Sequence, residues 1–192
     1  MSGTPEAIGR YRIEGVLGAG GMGVVYAARD ASLGRAVALK TIAAAAVGDE
    51  EAQKRFWREA RAAASVNHPN VCQIYEVGEA DGTPFIAMEM LEGEPLSARI
   101  ARGPLPVKEA LDAALGVLAA LSALHRREVI HRDLKPHNVF LTPHGVKLLD
   151  FGLARTAPPD IDNTASLLTR PGTVMGTPRY MAPEQLRGLK AD

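Results

Sequence analysis

Between Val129 and Asn138 the chain reads Val-Ile-His-Arg-Asp-Leu-Lys-Pro-His-Asn. This run holds a carboxylate (Asp133), two cations (Arg132, Lys135) and an amide (Asn138), with apolar residues Val129-Ile130 before it and Val139-Phe140-Leu141 after it. A carboxylate, an ammonium and an amide brought together on one loop between two short strands suit the handling of phosphate and metal. Two further clusters carry compatible chemistry. Upstream, Gly18-x-Gly20-x-x-Gly23-x-Val25 is a glycine pattern in which backbone N–H groups can approach phosphate oxygens without a Cβ in the way. Downstream, the apolar run Val146 to Leu149 ends in Asp150-Phe151-Gly152, an acid at a strand end. His131 reads as a packed, hydrogen-bonded histidine and not as a base.

These groups need elements to place them. Tyr11 to Val16 is expected to be a strand, and the glycines run into the β-branched segment Val24-Val25-Tyr26. That continuation argues for a hairpin over the strand-to-helix turn of a dinucleotide-binding fold. Arg35 to Ile42 is the next strand; alternation puts Ala38 and Lys40 on one face, Val37 and Leu39 on the other. By itself Lys40 reads as a solvated strand terminus. Asp49 to Val66 is helical by period and propensity, with Gly48-Asp49 as its start and an apolar stripe of Phe56, Ala60, Ala63 and Ala64. Glu59 lies beside that stripe; an ion pair within the helix, for example with Arg55, is its ordinary reading. Val71 to Val77 and Phe85 to Met90 are expected to form a hairpin around Asp81-Gly82, with Cys72 a small core residue. Pro95 to Ala101 is a short helix. Pro106 to Arg127 is a long one whose Leu111, Leu115, Leu118, Leu121 and Leu124 imply burial of a broad face. Thr156 to Thr173 is rich in Pro, Asp, Ser and Thr and reads as a mobile loop.

Bulk properties narrow the field. The chain has 192 residues, a formal net charge of +0 and 46% hydrophobic residues, so it can bury a core and carries no basic field for nucleic acid. Cys72 is the only cysteine, which excludes disulfides and cysteine-based metal sites. No apolar stretch approaches the ~20 residues needed to span a bilayer, and Met1 to Arg10 lacks an apolar signal region. A cytoplasmic chain is the expectation.

In order, the chain therefore contains Gly18-x-Gly20-x-x-Gly23, Val37-Ala38-Leu39-Lys40, His131-Arg132-Asp133-Leu134-Lys135-Pro136-His137-Asn138, Asp150-Phe151-Gly152 and Ala182-Pro183-Glu184. This ordered set resembles the eukaryotic-type serine/threonine protein kinases, bacterial branch, over Tyr11 to Arg187. The resemblance implies an α+β, protein-kinase-like fold of two lobes: residues 11–91 as a β-rich N-lobe, complete, and 92–192 as a helical C-lobe, incomplete. It implies transfer of the ATP γ-phosphate to Ser/Thr hydroxyls of proteins, with ATP and Mg2+ as cofactors and self-phosphorylation in trans. Asp133 would be the base, Lys135 would neutralise the transferring phosphate, and Lys40, oriented by Glu59, would hold the α- and β-phosphates. ATP would lie against Leu17, Gly18, Ala19, Gly20, Gly21, Met22, Gly23, Val25, Ala38, Met88, Glu89, Leu91 and Phe140, with Met88 as gatekeeper and Glu89-Met90-Leu91 as hinge. Asn138 and Asp150 would bind metal. Arg132 would receive a phosphate on the activation loop, with Thr169 and Thr173 the candidate phosphosites, ahead of Thr164 and Ser166. Lys135 and Thr177 together point to serine/threonine specificity. Members of the family have further helices after Ala-Pro-Glu, and this chain stops at Asp192. The resemblance so leaves a second expectation, a catalytically impaired fragment acting as a nucleotide-binding or interaction module.

Overall fold

The computed structural model describes residues 4–20, 23–42, 50–151 and 178–187. Gly21, Met22, Gly152, Thr164, Ser166, Thr169, Thr173 and Thr177 lie outside the described residues, as do the Gly48-Asp49 helix start and the loop expected over 156–173.

Alternating burial and β-branched content in the first half produce one antiparallel sheet. It comprises β1 (Ala7–Ile8), β2 (Tyr11–Gly20), β3 (Gly23–Asp30), β4 (Ala36–Thr41), β5 (Ile74–Ala80) and β6 (Thr83–Glu89), in the order β1-β2-β3-β4-β6-β5. β2 continues through Gly18 to Gly20, which pairs with Gly23, so these three glycines lie on an antiparallel strand pair as expected. Val37 and Leu39 are wholly buried on one face with Tyr11, Tyr26, Ala28, Phe85 and Ala87. Each large apolar side chain removed from water there contributes about 1.5–3 kcal/mol.

Helix α1 (Glu50–Ala64) packs against β5 through the predicted stripe; Phe56, Ala60 and Ala63 are buried. The strand expected from Val71 begins only at Ile74. Residues 70–72 pair instead with the second half of the chain. Asn70 O accepts from Leu148 N–H at 2.8 Å, Cys72 N–H donates to Leu148 O at 3.0 Å, and Asn70 Nδ2 donates to Val146 O at 2.9 Å.

The second half contains β7 (Glu94–Pro95), α2 (Leu96–Ala101), α3 (Val107–His125), a 3-10 turn over Pro136–Asn138, β8 (Val139–Thr142) and β9 (Gly145–Leu148). A 3-10 turn over Pro178–Tyr180 and the single-turn α4 (Pro183–Leu186) complete the described chain. The strands form a sheet in the order β7-β8-β9.

The expected leucine face of α3 is buried only at its end, where Leu124 is fully buried and Leu121 packs on the core. Ala113, Ala120, Ala123 and Leu124 are buried, whereas Leu111, Leu115 and Leu118 stand 58%, 64% and 61% exposed. The reason is close approach. A Cβ on Gly116 would lie 2.3 Å from Val146 Cγ2, so small residues are what lets α3 sit directly on β9. One continuous core then joins α1, α3 and β9, with Phe56, Ile86, Leu124, Leu148 and Phe151 among its members.

Candidate active site

The loop from Val129 to Asn138 leaves the end of α3 and turns into β8. His131 anchors it. The ring is buried, Nε2 lies 2.9 Å from the Leu149 carbonyl, and Nδ1 lies 3.3 Å from the Asp133 amide nitrogen. Nε2 must therefore carry the proton and donate, while Nδ1 accepts. Burial holds the imidazole below its ordinary pKa, with the Leu149 carbonyl and the Asp133 carboxylate opposing that shift. The packing reading of His131 stands: both nitrogens are committed to the backbone.

Asp133 follows, half-buried. Its Oδ2 accepts from Lys135 Nζ at 2.7 Å and from Asn138 Nδ2 at 2.9 Å. Its Oδ1 takes no hydrogen bond among the described residues and is the oxygen left for a hydroxyl. Asn138 is buried, and its Nδ2 also donates to the Asp133 carbonyl at 2.8 Å. With the amide nitrogen used twice, the Asn138 oxygen is the atom a cation would take.

The sheet supplies the opposite wall. Lys40, one residue from the end of β4, pairs across the ladder with Val25 on β3 and Ile86 on β6, while Ala38 pairs with Ala27 and Met88. Leu17, Gly18, Ala19 and Gly20 are exposed on the hairpin; Val25 is half-buried beside them. Glu89 ends β6, its N–H donating to the Gln73 carbonyl at 2.9 Å and its Oε2 accepting from Lys147 Nζ at 2.8 Å. Leu91 and Phe140 are both half-buried, Phe140 paired with Pro95 and Lys147. Cys72 is buried behind this segment, and burial pushes its thiol up to about 12, so it is inert as a nucleophile.

One sequence expectation is corrected. Lys40 does not contact Glu59: its Nζ lies 2.7 Å from Asp150 Oδ1, and Glu59 Oε1 accepts from Arg132 Nη1 at 3.1 Å. Asp150 and Arg132 both have left-handed backbone, φ 55° and 61°. These two turns aim the carboxylate at the sheet and the guanidinium at α1. Against the reading of Glu59 as a partner within its own helix, this ion pair is a long-range one. Glu59 Oε2 is buried without a hydrogen bond.

Three contributors were not read from the sequence. Thr41 clips the glycine hairpin, its hydroxyl donating to the Val24 carbonyl at 3.1 Å. Lys147 holds the Glu89 side chain. Gln185 reaches the catalytic-loop backbone, donating from Nε2 to the Arg132 carbonyl at 2.9 Å. Only Gln185 had a local signal, its place three residues after the helix-entry residue Ala182.

The protein kinase domain model matches residues 11–192, nearly the whole chain. The chain belongs to the protein kinase family. This kinase chain is 43% identical to serine/threonine-protein kinase pkn3 of Myxococcus xanthus, over 98% of this chain and 36% of the relative. It is 41% identical to serine/threonine-protein kinase PrkC of Bacillus subtilis, over 94% of this chain and 27% of the relative. It thus spans roughly a quarter to two fifths of the length of these relatives. The crystal structure of the PknI kinase domain of Mycobacterium tuberculosis superposes with a TM-score of 0.77 at 32% identity, covering 97% of this chain and 67% of that one. The α+β protein-kinase fold expected from the motifs is therefore the fold of this chain.

Proposed function

We propose that the chain is the nucleotide-binding and catalytic part of a serine/threonine protein kinase, which transfers the γ-phosphoryl group of ATP to Ser/Thr hydroxyls of protein substrates. The observation that carries the reading is the Asp133 carboxylate, pinned through Oδ2 by Lys135 and Asn138, with Oδ1 taking no hydrogen bond among the described residues. Held this way, Asp133 orients the substrate hydroxyl and takes its proton as the oxygen attacks phosphorus. Lys135, beside it, offsets charge on the transferring group. Lys40 would hold the α- and β-phosphates; its Nζ lies 2.7 Å from Asp150 Oδ1, a group proposed for the same nucleotide's metal.

Residues 11–91 act as the N-lobe and 92–192 as the C-lobe. Nucleotide lies between the glycine hairpin (Leu17 to Gly23, with Val25) and Phe140; Ala38 and Met88 flank the base, and the backbone of Glu89 and Leu91 reads its edge. The Asn138 oxygen and the Asp150 carboxylate are hard donors of the kind magnesium takes, one carboxylate and one amide, with phosphates completing the shell. Magnesium, when bound, screens the phosphate charge. Arg132 receives a phosphothreonine from Thr169 or Thr173, added in trans by a second copy, and Thr177 supports serine/threonine specificity. Among the described residues no helix is long and apolar enough to cross a membrane; the cytoplasm is the proposed compartment.

The test is label transfer from radiolabelled ATP with magnesium to a generic protein substrate. Transfer by the wild type that Asp133→Asn abolishes is expected. Transfer that persists unchanged in Asp133→Asn would refute the role of Asp133.

A second reading, a nucleotide-binding or interaction module without turnover, is favoured by the exposed Leu111, Leu115 and Leu118 on α3. A melting-temperature rise with ATP and magnesium, in a chain that transfers no label, would select it.

A further inference from the structure

Arg132 sits one residue before the proposed base with φ 61°, a left-handed conformation that is unfavourable for an arginine and persists only when its surroundings enforce it. The peptide unit joining Arg132 to Asp133 shows what enforces it. Its N–H, on Asp133, donates to the His131 carbonyl at 2.8 Å. Its carbonyl, on Arg132, accepts from Gln185 Nε2 at 2.9 Å. Both ends of one peptide plane are thus fixed, and the orientation of that plane sets the direction in which the Asp133 side chain leaves the backbone. The loop supplies the first restraint itself. The second comes from more than fifty residues downstream, on α4.

Gln185 is fixed in turn. Its Oε1 accepts from the Ala182 amide at 3.0 Å, so the carboxamide is oriented with its oxygen on the helix entry and its nitrogen on the catalytic loop. The opposite orientation would set a donor against the Ala182 N–H and an acceptor against the Arg132 carbonyl. A single side chain therefore bridges the Ala-Pro-Glu turn and the backbone beside Asp133.

We propose that Gln185 is a positioning residue for catalysis: its amide nitrogen holds the Arg132–Asp133 peptide and so aims the Asp133 carboxylate. The proposal rests on Asp133 being the base. It also assigns the segment after Ala-Pro-Glu a direct part in the geometry of the catalytic loop. The competing account is that Gln185 only caps a one-turn helix.

The two accounts separate in Gln185→Glu. A glutamate keeps the oxygen that accepts from Ala182 and suits a helix N-terminus. It cannot donate to the Arg132 carbonyl. The expected result is an unchanged melting temperature with kcat lowered about 100-fold, the scale of a misplacement of order 1 Å. KM for ATP should stay within about twofold, because nucleotide contacts are untouched. Gln185→Met, which loses both bonds, should lower kcat and the melting temperature together. Hydrogen–deuterium exchange of the peptide spanning 129–138 supplies a readout that needs no turnover, and Gln185→Glu should accelerate it. Wild-type kcat with wild-type protection in Gln185→Glu would overturn the proposal. Should the wild-type chain transfer no phosphate, the kinase reading falls. The exchange comparison still decides on Gln185: faster exchange supports the tie, and equal exchange overturns it.

Discussion

Glu59 on α1 and Arg132 on the catalytic loop form an ion pair, Oε1 to Nη1 at 3.1 Å, with both side chains about three-quarters buried. Lys40 meanwhile pairs with Asp150. The two pairings are crossed relative to the one the family motifs imply, in which Glu59 orients Lys40. Each acid is thereby engaged by a cation that the proposed chemistry needs elsewhere.

Crossed pairing is measurable without any activity. Double-mutant cycles in urea, using Glu59→Gln with Arg132→Gln and Glu59→Gln with Lys40→Met, should give a coupling of about 1 kcal/mol for the first pair and close to zero for the second. A coupling between Glu59 and Lys40 that exceeds the Arg132 value would contradict the arrangement in solution.

Asp133→Asn should lower kcat about 1,000-fold, the middle of the range for loss of a positioned base, with little change in KM for ATP. Single-turnover label transfer distinguishes this from slow product release. A tenfold rise in KM with kcat intact would instead make Asp133 a nucleotide-binding residue.

The three motif glycines should not behave alike. A Cβ on Gly18 or Gly20 meets nothing within 4 Å, so Gly20→Ala should melt as the wild type does and affect only nucleotide affinity. Gly23 has φ 134°, and a Cβ there would sit 1.9 Å from the Thr41 carbonyl oxygen. Gly23→Ala should cost at least about 1–3 kcal/mol from the backbone conformation alone. Equal melting temperatures for the two variants would count against this hairpin geometry.

His131 sets a pH dependence whose sign follows from its burial. Its pKa is lower folded than unfolded, so the unfolded chain binds the proton more readily. The stability associated with a neutral His131 is full above the unfolded value of about 6.5. It is lost as pH falls below that value toward the depressed folded one. The melting temperature of the wild type should therefore drop more steeply between pH 7 and pH 5 (on the order of two units spanning the histidine range) than that of His131→Gln. Parallel curves would show that His131 does not titrate differently on folding.

Two leucines of α3 should differ sharply in this chain. Leu124 is fully buried, and Leu124→Ala should cost about 2–5 kcal/mol. Leu115 is 64% exposed, so Leu115→Lys should change stability by no more than about 0.5 kcal/mol. Chemical denaturation of both variants checks the contrast, and a large loss in Leu115→Lys would mean that its face is covered in solution.

Much of the site was legible because its groups are local. Asp133, Lys135 and Asn138 fall within six residues, so the sequence shows them as one group; that one Asp133 oxygen takes both contacts is seen only in the fold. The hairpin was legible because β-branched residues follow the glycines. α3 was legible as a helix but misread over most of its leucine face, since leucine content suggests burial while Ala113, Gly116 and Ala120 decide how near β9 can come. The start of β5 was misplaced for a related reason: residues 70–72 satisfy their backbone on Leu148, a partner more than seventy residues away.

By itself the sequence determined which chemical groups are present, their order, the hairpin of glycines, the helices by period, and through these the kinase family. Tertiary structure alone decided who pairs with whom. Glu59 goes to Arg132 and Lys40 to Asp150 because two left-handed residues turn their side chains across the site. Gln185 meets the Arg132 carbonyl because α4 folds back onto the loop. Ionic and hydrogen-bond partners depend on ångström distances between elements far apart in sequence, and no local pattern encodes those distances.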